Sequence, residues 1–384
     1  MIRPLPLSQT LLRKLQCSIC TLAVMLATGC QTATHTVAAT RSGDSPVIFK
    51  FVTVGDSRAE PNAPGNAPQD EIWLQSTAIW SRMLHEIEAQ RPHAMVFNGD
   101  MIYGYGADAA GLDRQYAFWR GMVTGLMARG TYVLPVPGNH EVQEKFPKAG
   151  GGTIKRATAM RENVWRANMG DLILNQSLWA TTTGQPATAW RLANTPLIGS
   201  DGITTDQQAL SYSFDAGAVH ITVVNTDPAG FDDSVPIEWL KNDLREARAR
   251  GAKQFFVFGH KMPFTYHPPG KAAPKPDGLD ARRELRDAFW DVIEQFGASY
   301  FCGHQHVYNA SQPTRINGGK AWQVIVGTAG SPLSIKAGEN GHPNERMYAW
   351  AEVSVRQNGK VTMQVRGFDD KLSATKIIEA LDLS

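Results

Sequence analysis

The run Ala94-Met-Val-Phe-Asn-Gly-Asp-Met-Ile-Tyr103 decides how the rest of the chain is read. Met95 to Phe97 are apolar without polar alternation, the pattern of a strand buried on both faces. The run stops at Gly99, and a carboxylate, Asp100, follows at once. Proteins of the α/β class place their chemistry beyond the carboxyl ends of core strands. A strand ending in Asn-Gly-Asp is also a common turn, so this stretch alone leaves structure and function equally open. Four further strand ends shift the balance: Gly55-Asp56-Ser57-Arg58, Gly138-Asn139-His140-Glu141, Gly259-His260 and Gly303-His304-Gln305-His306. All are rich in metal-ligating side chains.

Upstream of the opening run, Val47 to Val54 reads as a core strand that delivers Asp56. A Pro/Asn/Gly loop, Glu60 to Gln69, leads into a helical stripe of Ile72, Ile79, Trp80, Met83, Leu84 and Ile87. His85 falls off that stripe and is expected in solvent. Downstream, a helix over Leu112 to Met127 closes at Gly130, and a strand over Tyr132 to Val136 runs into Asn139. Periodicity then fails from Glu144 to about Gln208, a Gly/Thr/Asn-rich insertion containing Trp165, Trp179 and Trp190. Unpatterned insertions of this length are commonly lids or disordered segments. The three tryptophans favour an ordered cover beside the site.

Regular structure resumes with a hairpin, Leu210 to Asp215 and Val219 to Asn225, in which His220 reads as structural. A helix over Ile237 to Arg250, a strand over Phe255 to Phe258, a helix over Arg282 to Phe296 and a strand over Ser299 to Cys302 follow. The Pro-rich loop before Pro276 carries His267, a candidate substrate contact. Strands over Trp322 to Val326, Tyr348 to Val355 and Lys360 to Val365 close a catalytic domain spanning 47–370, with a tail over 371–384. No internal repeat or second domain is visible.

Across 384 residues, 42% hydrophobic and 19% charged, the composition is that of a globular protein. The formal charge is +2, but Arg3, Arg13 and Lys14 stand in an acid-free start, leaving 35 basic against 36 acidic residues beyond it. No imbalance points to nucleic acid, and none is expected as a partner. Those three cations and the apolar Leu15 to Ala27 read as an export signal over 1–29. The apolar segment is shorter than the roughly 20 residues that span a bilayer. It ends in Leu26-Ala27-Thr28-Gly29-Cys30, which resembles a bacterial lipoprotein signal with Cys30 acylated. Release after small residues is the alternative. Residues 30–46 then form a flexible tether, and the expected location is a membrane-anchored lipoprotein facing the periplasm or cell exterior.

Two aspartates, an asparagine and three histidines at strand ends suit a pair of metal ions. A bridging carboxylate would hold two cations roughly 3.5–4 Å apart with a water or hydroxide between them. Neutral imidazoles and an Asn carbonyl complete the coordination and leave net positive charge for phosphate.

The order of the five segments resembles the calcineurin-like metallophosphoesterases. Gly99-Asp100-Met101-Ile102-Tyr103 is similar to the Gly-Asp-x-x-Tyr segment of their purple acid phosphatase branch. The resemblance extends through Tyr212-Ser213-Phe214-Asp215 and Trp239-Leu240 to His306. It implies an α/β fold of two packed mixed β-sheets flanked by helices, a four-layer sandwich. By the same resemblance Asp56, Asp100, Tyr103 and His306 would hold a first metal. Asp100, Asn139, His260 and His304 would hold a second, and His140 would bind phosphate or protonate the leaving group.

One departure matters. The family's first segment carries Asp-x-His or Gly-Asp-x-Gly, and this chain has Arg58 at the third position. A guanidinium cannot ligate a metal, so Arg58 is read as a phosphate contact or a partner of a nearby acid. Without a histidine there, Tyr103 is either the added ligand that the resemblance implies or an aromatic packed behind the Asp100 turn. Lowering a phenol from its usual pKa of about 10 favours ferric iron, so the pair is expected to be iron with zinc, manganese or iron. The implied activity is hydrolysis of a small-molecule phosphoester, a monoester first and a nucleotide or phospholipid diester second. An inert lipid-anchored binding protein is the reading from a different class, and the full ligand set argues against it.

Overall fold

Two runs of alternately packed Val and Phe residues organise the chain, and the first, VIFKFVTV, is wholly buried over its last four residues. The computed structural model describes residues 45–173, 175–268, 271–313, 319–335 and 346–384. In chain order its strands are β1 (Val47–Val54), β2 (Ala94–Phe97), β3 (Tyr132–Pro135), β4 (Gln143–Pro147), β5 (Thr153–Ala157), β6 (Tyr212–Ala216) and β7 (Val219–Val223). Then come β8 (Gln254–Phe258), β9 (Ser299–Cys302), β10 (Tyr308–Ser311), β11 (Gln323–Val326), β12 (Tyr348–Arg356), β13 (Val361–Phe368) and β14 (Lys376–Asp382). The helices are α1 (Pro68–Trp73), α2 (Thr77–Gln90), α3 (Ala109–Ala128), α4 (Asn139–Val142), α5 (Ala159–Met169), α6 (Gln176–Thr183), α7 (Ile237–Arg250) and α8 (Arg283–Phe296).

One six-stranded sheet has the order β14-β13-β12-β1-β2-β3, the other β10-β11-β9-β8-β7-β6, and β4-β5 is a separate hairpin. Strands β1, β2 and β3 are parallel, as are β7, β8, β9 and β11, with antiparallel strands beside them. The sheets pack face to face. The Phe51 ring meets those of Phe256, Phe258 and Phe301 edge-on at 5.0, 5.6 and 5.8 Å. Outside the first sheet, Trp80 of α2 and Trp119 of α3 sandwich Phe97. Outside the second, Leu240 and Leu244 of α7 and Phe289, Trp290 and Ile293 of α8 share a core with Val257 and Tyr300. The expected mixed-sheet sandwich is present. Its parallel strands from both sheets deliver their ends to one place.

Three local expectations are corrected. The stripe from Ile72 to Ile87 is two helices: Leu74 turns left-handed (φ 51°), and the Asp70 carboxylate accepts from the Thr77 N–H at 2.8 Å to restart the helix. Ile72 consequently faces solvent, 63% exposed. Within 371–384, Lys376–Asp382 is an edge strand paired with β13. Its half-exposed isoleucines gave no buried face to read. Trp165, Trp179 and Trp190 belong to the main core and do not form a cover. Trp179 packs on Phe49, near the start of β1 and away from Asp56. Near the strand ends the insertion supplies the β4-β5 hairpin and Arg161 of α5, which donates to the Gly104 carbonyl at 3.0 Å. His220 is structural as read, its Nδ1 on Asp215 at 2.6 Å and its Nε2 on Asp243 at 2.8 Å. His85 is exposed.

Candidate metal centre

Every expected ligand but Tyr103 stands two to four residues past the end of a core strand, and three of them lie on backbone that bends sharply. Asp56, Asp100 and His304 have left-handed φ of 64, 55 and 68°. For residues with a Cβ this conformation costs about 1–3 kcal/mol and persists where neighbours over-determine it. Here the neighbours are close. The Asp56 N–H donates to the Gly99 carbonyl at 2.9 Å, and the His304 N–H to Asp56 Oδ2 at 3.1 Å. A Cβ on Gly99 would lie 2.7 Å from His260 Nδ1. Glu141, fully buried, accepts from the backbone N–H groups of Asp100, Met101, Ile102 and Gly138. Burial and Asp100 together push its carboxyl up to about 8. Glu141 thus fixes the turn that presents Asp100.

The histidines share one design. Backbone carbonyls only accept, so His260 Nδ1, 2.7 Å from the Asn98 carbonyl, carries the proton. By the same logic His306 Nδ1 donates to Pro332 O at 2.8 Å, and His304 Nε2 faces the Asp277 carboxylate at 3.3 Å. Each ring therefore turns a lone pair inward, the tautomer a metal ligand needs. Asn139 donates its Nδ2 to the Tyr105 hydroxyl at 2.7 Å, which aims Oδ1 inward too.

These inward atoms converge. Asn139 Oδ1 lies 3.0 Å from His260 Nε2 and 2.8 Å from His304 Nδ1, and the two nitrogens are 3.2 Å apart. Asp100 Oδ1 lies 3.2 Å from His260 Nε2. Edges near 3 Å are what donors about 2.1 Å from a shared cation make. Burial acts to lower the His260 pKa, but Asp100, Asp56 and the Asn98 carbonyl together bring it to about 9, so without a cation the ring holds a second proton that metal binding would release. The group thus attracts positive charge at the point where the donors meet. Asp56, Asp100 and His260 also offer ligand atoms all within 4.8 Å of one another. Asp56 Oδ1 is buried with no hydrogen-bond partner. The residues present fit a metal ion at Asp100, Asn139, His260 and His304.

His140 sits beside this group. Its N–H donates to Asp100 Oδ1 at 3.1 Å, its Nδ1 bonds the Tyr103 carbonyl, and its Nε2 lies 3.7 Å from Asp100 Oδ2. Burial holds its imidazole well below the ordinary range. Arg58, 5% exposed, donates from Nε to Asp100 Oδ2 at 3.2 Å and also pairs with Glu60. His306 Nε2 lies 3.4 Å from Asp56 Oδ1.

The Tyr103 ring lies beside His140 and Tyr105, and its hydroxyl makes no hydrogen bond among the described residues. His267 is exposed and turns Nε2 to the Lys271 carbonyl. Tyr105, Asp277, Lys145 and Lys155 were not read from sequence. Both lysines sit 4.7 Å from the Tyr105 ring. Nothing in a Pro-rich loop or a polar hairpin marked them.

The calcineurin-like phosphoesterase sequence profile matches residues 75–308. The chain belongs to that family. It is a family of metallophosphoesterases, phosphoester hydrolases that depend on dinuclear metal centres. Asp56 and Arg58 precede the matched stretch. No curated protein sequence matches the chain. Among solved structures, a purple acid phosphatase from yellow lupin (Lupinus luteus) seeds superposes with a TM-score of 0.56 at 14% identity. The alignment covers 88% of this chain and 54% of the lupin protein, so the chain spans about half that protein's length. At this identity the likeness is one of fold. The Plasmodium inner-membrane-complex anchor GAP50 gives 0.49 at 10% identity, over 88% of each chain. A dimetal phosphatase from Danio rerio gives 0.42 at 14%, covering 88% of this chain and 99% of its own.

Proposed function

We propose that this calcineurin-like phosphoesterase hydrolyses phosphate monoesters. The observation that carries the reading is the convergence of Asp100, Asn139, His260 and His304 beside His140 at the shared ends of two sheets. A bound ion supplies Lewis acidity for phosphate and lowers the pKa of a coordinated water toward about 7. A donor set of one carboxylate, one amide and two imidazoles suits manganese, iron or zinc.

This chain's own residues supply the rest. A monoester is a dianion near neutral pH, and Arg58 and Lys155 bring fixed positive charge to the same mouth. Burial and the neighbouring Arg58 and Lys145 lower the Lys155 pKa, while Asp100 raises it. A diester carries a single charge and needs less. His140 keeps its Nδ1 on the Tyr103 carbonyl, leaving Nε2 to carry a proton to the leaving oxygen once a phosphate dianion favours the charged ring.

The test is a panel of aryl phosphate monoester and diester with metal analysis of the same sample. Faster turnover of the monoester is expected, and preference for the diester would reverse the substrate reading. Asp100→Asn should keep the fold and lose activity by at least about 10²-fold together with much of the metal, since loss of orientation alone costs 10–100-fold in affinity. Near-normal turnover with metal bound would end the assignment.

We further propose export and lipid anchoring through Cys30, which lies outside the described residues. No helix of the described residues is long and apolar enough to cross a membrane. Metabolic labelling with a fatty-acid analogue should mark the full-length protein and not Cys30→Ala. An unlabelled wild type would reject the anchor.

A further inference from the structure

We infer that Arg58 takes the place of one of the family's two metal ions, leaving this chain with one ion and one fixed guanidinium. The inference deepens the metal-dependent reading above and rests on it. The family resemblance assigns the first ion to Asp56, Asp100, Tyr103 and His306. In this structure a cation of the chain itself already lies among those groups. Arg58 Nε donates to Asp100 Oδ2 at 3.2 Å, and Nη2 lies 3.5 Å from His306 Nε2. His306 Nδ1 bonds the Pro332 carbonyl, so its Nε2 offers a lone pair and Nη2–H is the donor. Asp56 adds its charge to the same guanidinium.

Arg58 is also held where it is. Nη1 pairs with Glu60, the Arg58 N–H reaches the Asp100 carbonyl at 3.4 Å, and Ser331 Oγ donates to the Arg58 carbonyl at 2.9 Å. A β-bridge to Gln75 fixes the backbone from the other side. An ion bonded to Asp100 Oδ2 and His306 Nε2 would fall among the Arg58 nitrogens, one cation against another. What remains unbonded is Asp56 Oδ1, 3.4 Å from His306 Nε2. One carboxylate oxygen and one imidazole are a poor site for a divalent cation, and the grouping of Asp56 with Asp100 and His260 draws on the other position's ligands rather than building a second one. The other position contrasts with this, because Asn139 Oδ1, His260 Nε2 and His304 Nδ1 meet with Asp100 beside His260, and among the described residues no arginine or lysine nitrogen is hydrogen-bonded to those three atoms.

The substitution conserves what phosphate needs. A guanidinium keeps its charge at any working pH and offers five N–H donors in a plane. Bonds to Asp100, Glu60 and His306 use three, leaving two for phosphate oxygens in the bidentate manner that guanidinium favours. Charge building on those oxygens during hydrolysis is then met by a donor that needs no reorganisation.

The experiment counts ions without reference to turnover. The purified chain is equilibrated with Mn(II), dialysed free of loose metal, and analysed for manganese per chain and by electron paramagnetic resonance. One tightly held ion with the hyperfine pattern of an isolated Mn(II) is expected. Arg58→His, which restores the family's ligand type, should take up a second ion and show an exchange-coupled pair. Two tightly held, coupled ions in the wild type would overturn the inference. An Arg58→His variant that folds yet gains no ion would overturn it too. Should that variant fail to fold, the wild-type count decides alone. No tightly held ion in the wild type would sink the metal-dependent reading itself.

Discussion

His140 donates its N–H to Asp100 Oδ1 beside the candidate metal site, and its replacement should separate two proposed roles. If it protonates the leaving group, His140→Ala slows esters of poor leaving groups by about 10²–10⁴-fold more than activated aryl esters. Equal loss on both would assign it to holding phosphate or Asn139. At this scale much of the site was legible. Asp56, Asp100, Asn139, His260 and His304 each follow an apolar run and a glycine closely, a signal that survives without any structure. The backbone after Asp100 was less legible than the ligands before it. A helix directly after Asp100 was expected to carry Tyr103 back toward an ion. Instead Gly104 turns left-handed at φ 68°, and no helix begins until Ala109. Tyr105, two residues later, is the one whose hydroxyl meets Asn139. The identity of Arg58 was plain in the sequence, and its position between Asp100 and His306 was not.

The β4-β5 hairpin is the element the sequence hid, since its residues are polar and its turn is glycine-rich. The strands could be read because buried parallel strands are continuous apolar runs, while an exposed two-stranded ribbon has neither run nor clean alternation. Its register places Lys145 directly opposite Lys155. Like charges so paired destabilise a ribbon by about 0.2–1 kcal/mol. Both ammonium groups lie over the Tyr105 face, and a cleft of about 340 Å³ opens there between Tyr105, Lys145 and Arg161. An anion bound between them would offset that repulsion. Lys145→Ala should therefore leave the free protein equally or slightly more stable. It should also raise KM for phosphoesters bearing a second anionic group, by up to about tenfold, the equivalent of 1.4 kcal/mol. Substrates without that group should change little. A KM that moves equally for both, or not at all, would remove the hairpin from substrate recognition.

Across the whole molecule the centre is shared between sheets. Asp56, Asp100 and Asn139 come from the ends of β1, β2 and β3, and His260 and His304 from the ends of β8 and β9. The Phe51 contacts with Phe256, Phe258 and Phe301 hold the sheet faces together deeper in the core, and at the ligand-bearing ends hydrogen bonds from His260 to the Asn98 carbonyl and from the His304 N–H to Asp56 join them. An ion held at Asp100, Asn139, His260 and His304 would be bound by both sheets at once, and the unfolded chain, with those residues scattered over about two hundred positions, does not assemble that set. Binding to the folded state alone stabilises by about 2.7 kcal/mol when free metal is 100 times Kd. Adding Mn(II) to chelator-treated protein should then raise Tm by a few degrees, and fresh chelator should reverse the rise. Asp100→Asn is the control, because it weakens the site without touching the aromatic contact between the sheets. Its Tm should respond much less to the same metal. If wild type and Asp100→Asn gain equally, the ions are binding elsewhere on the surface, and the strand ends do not form the centre that joins the sheets.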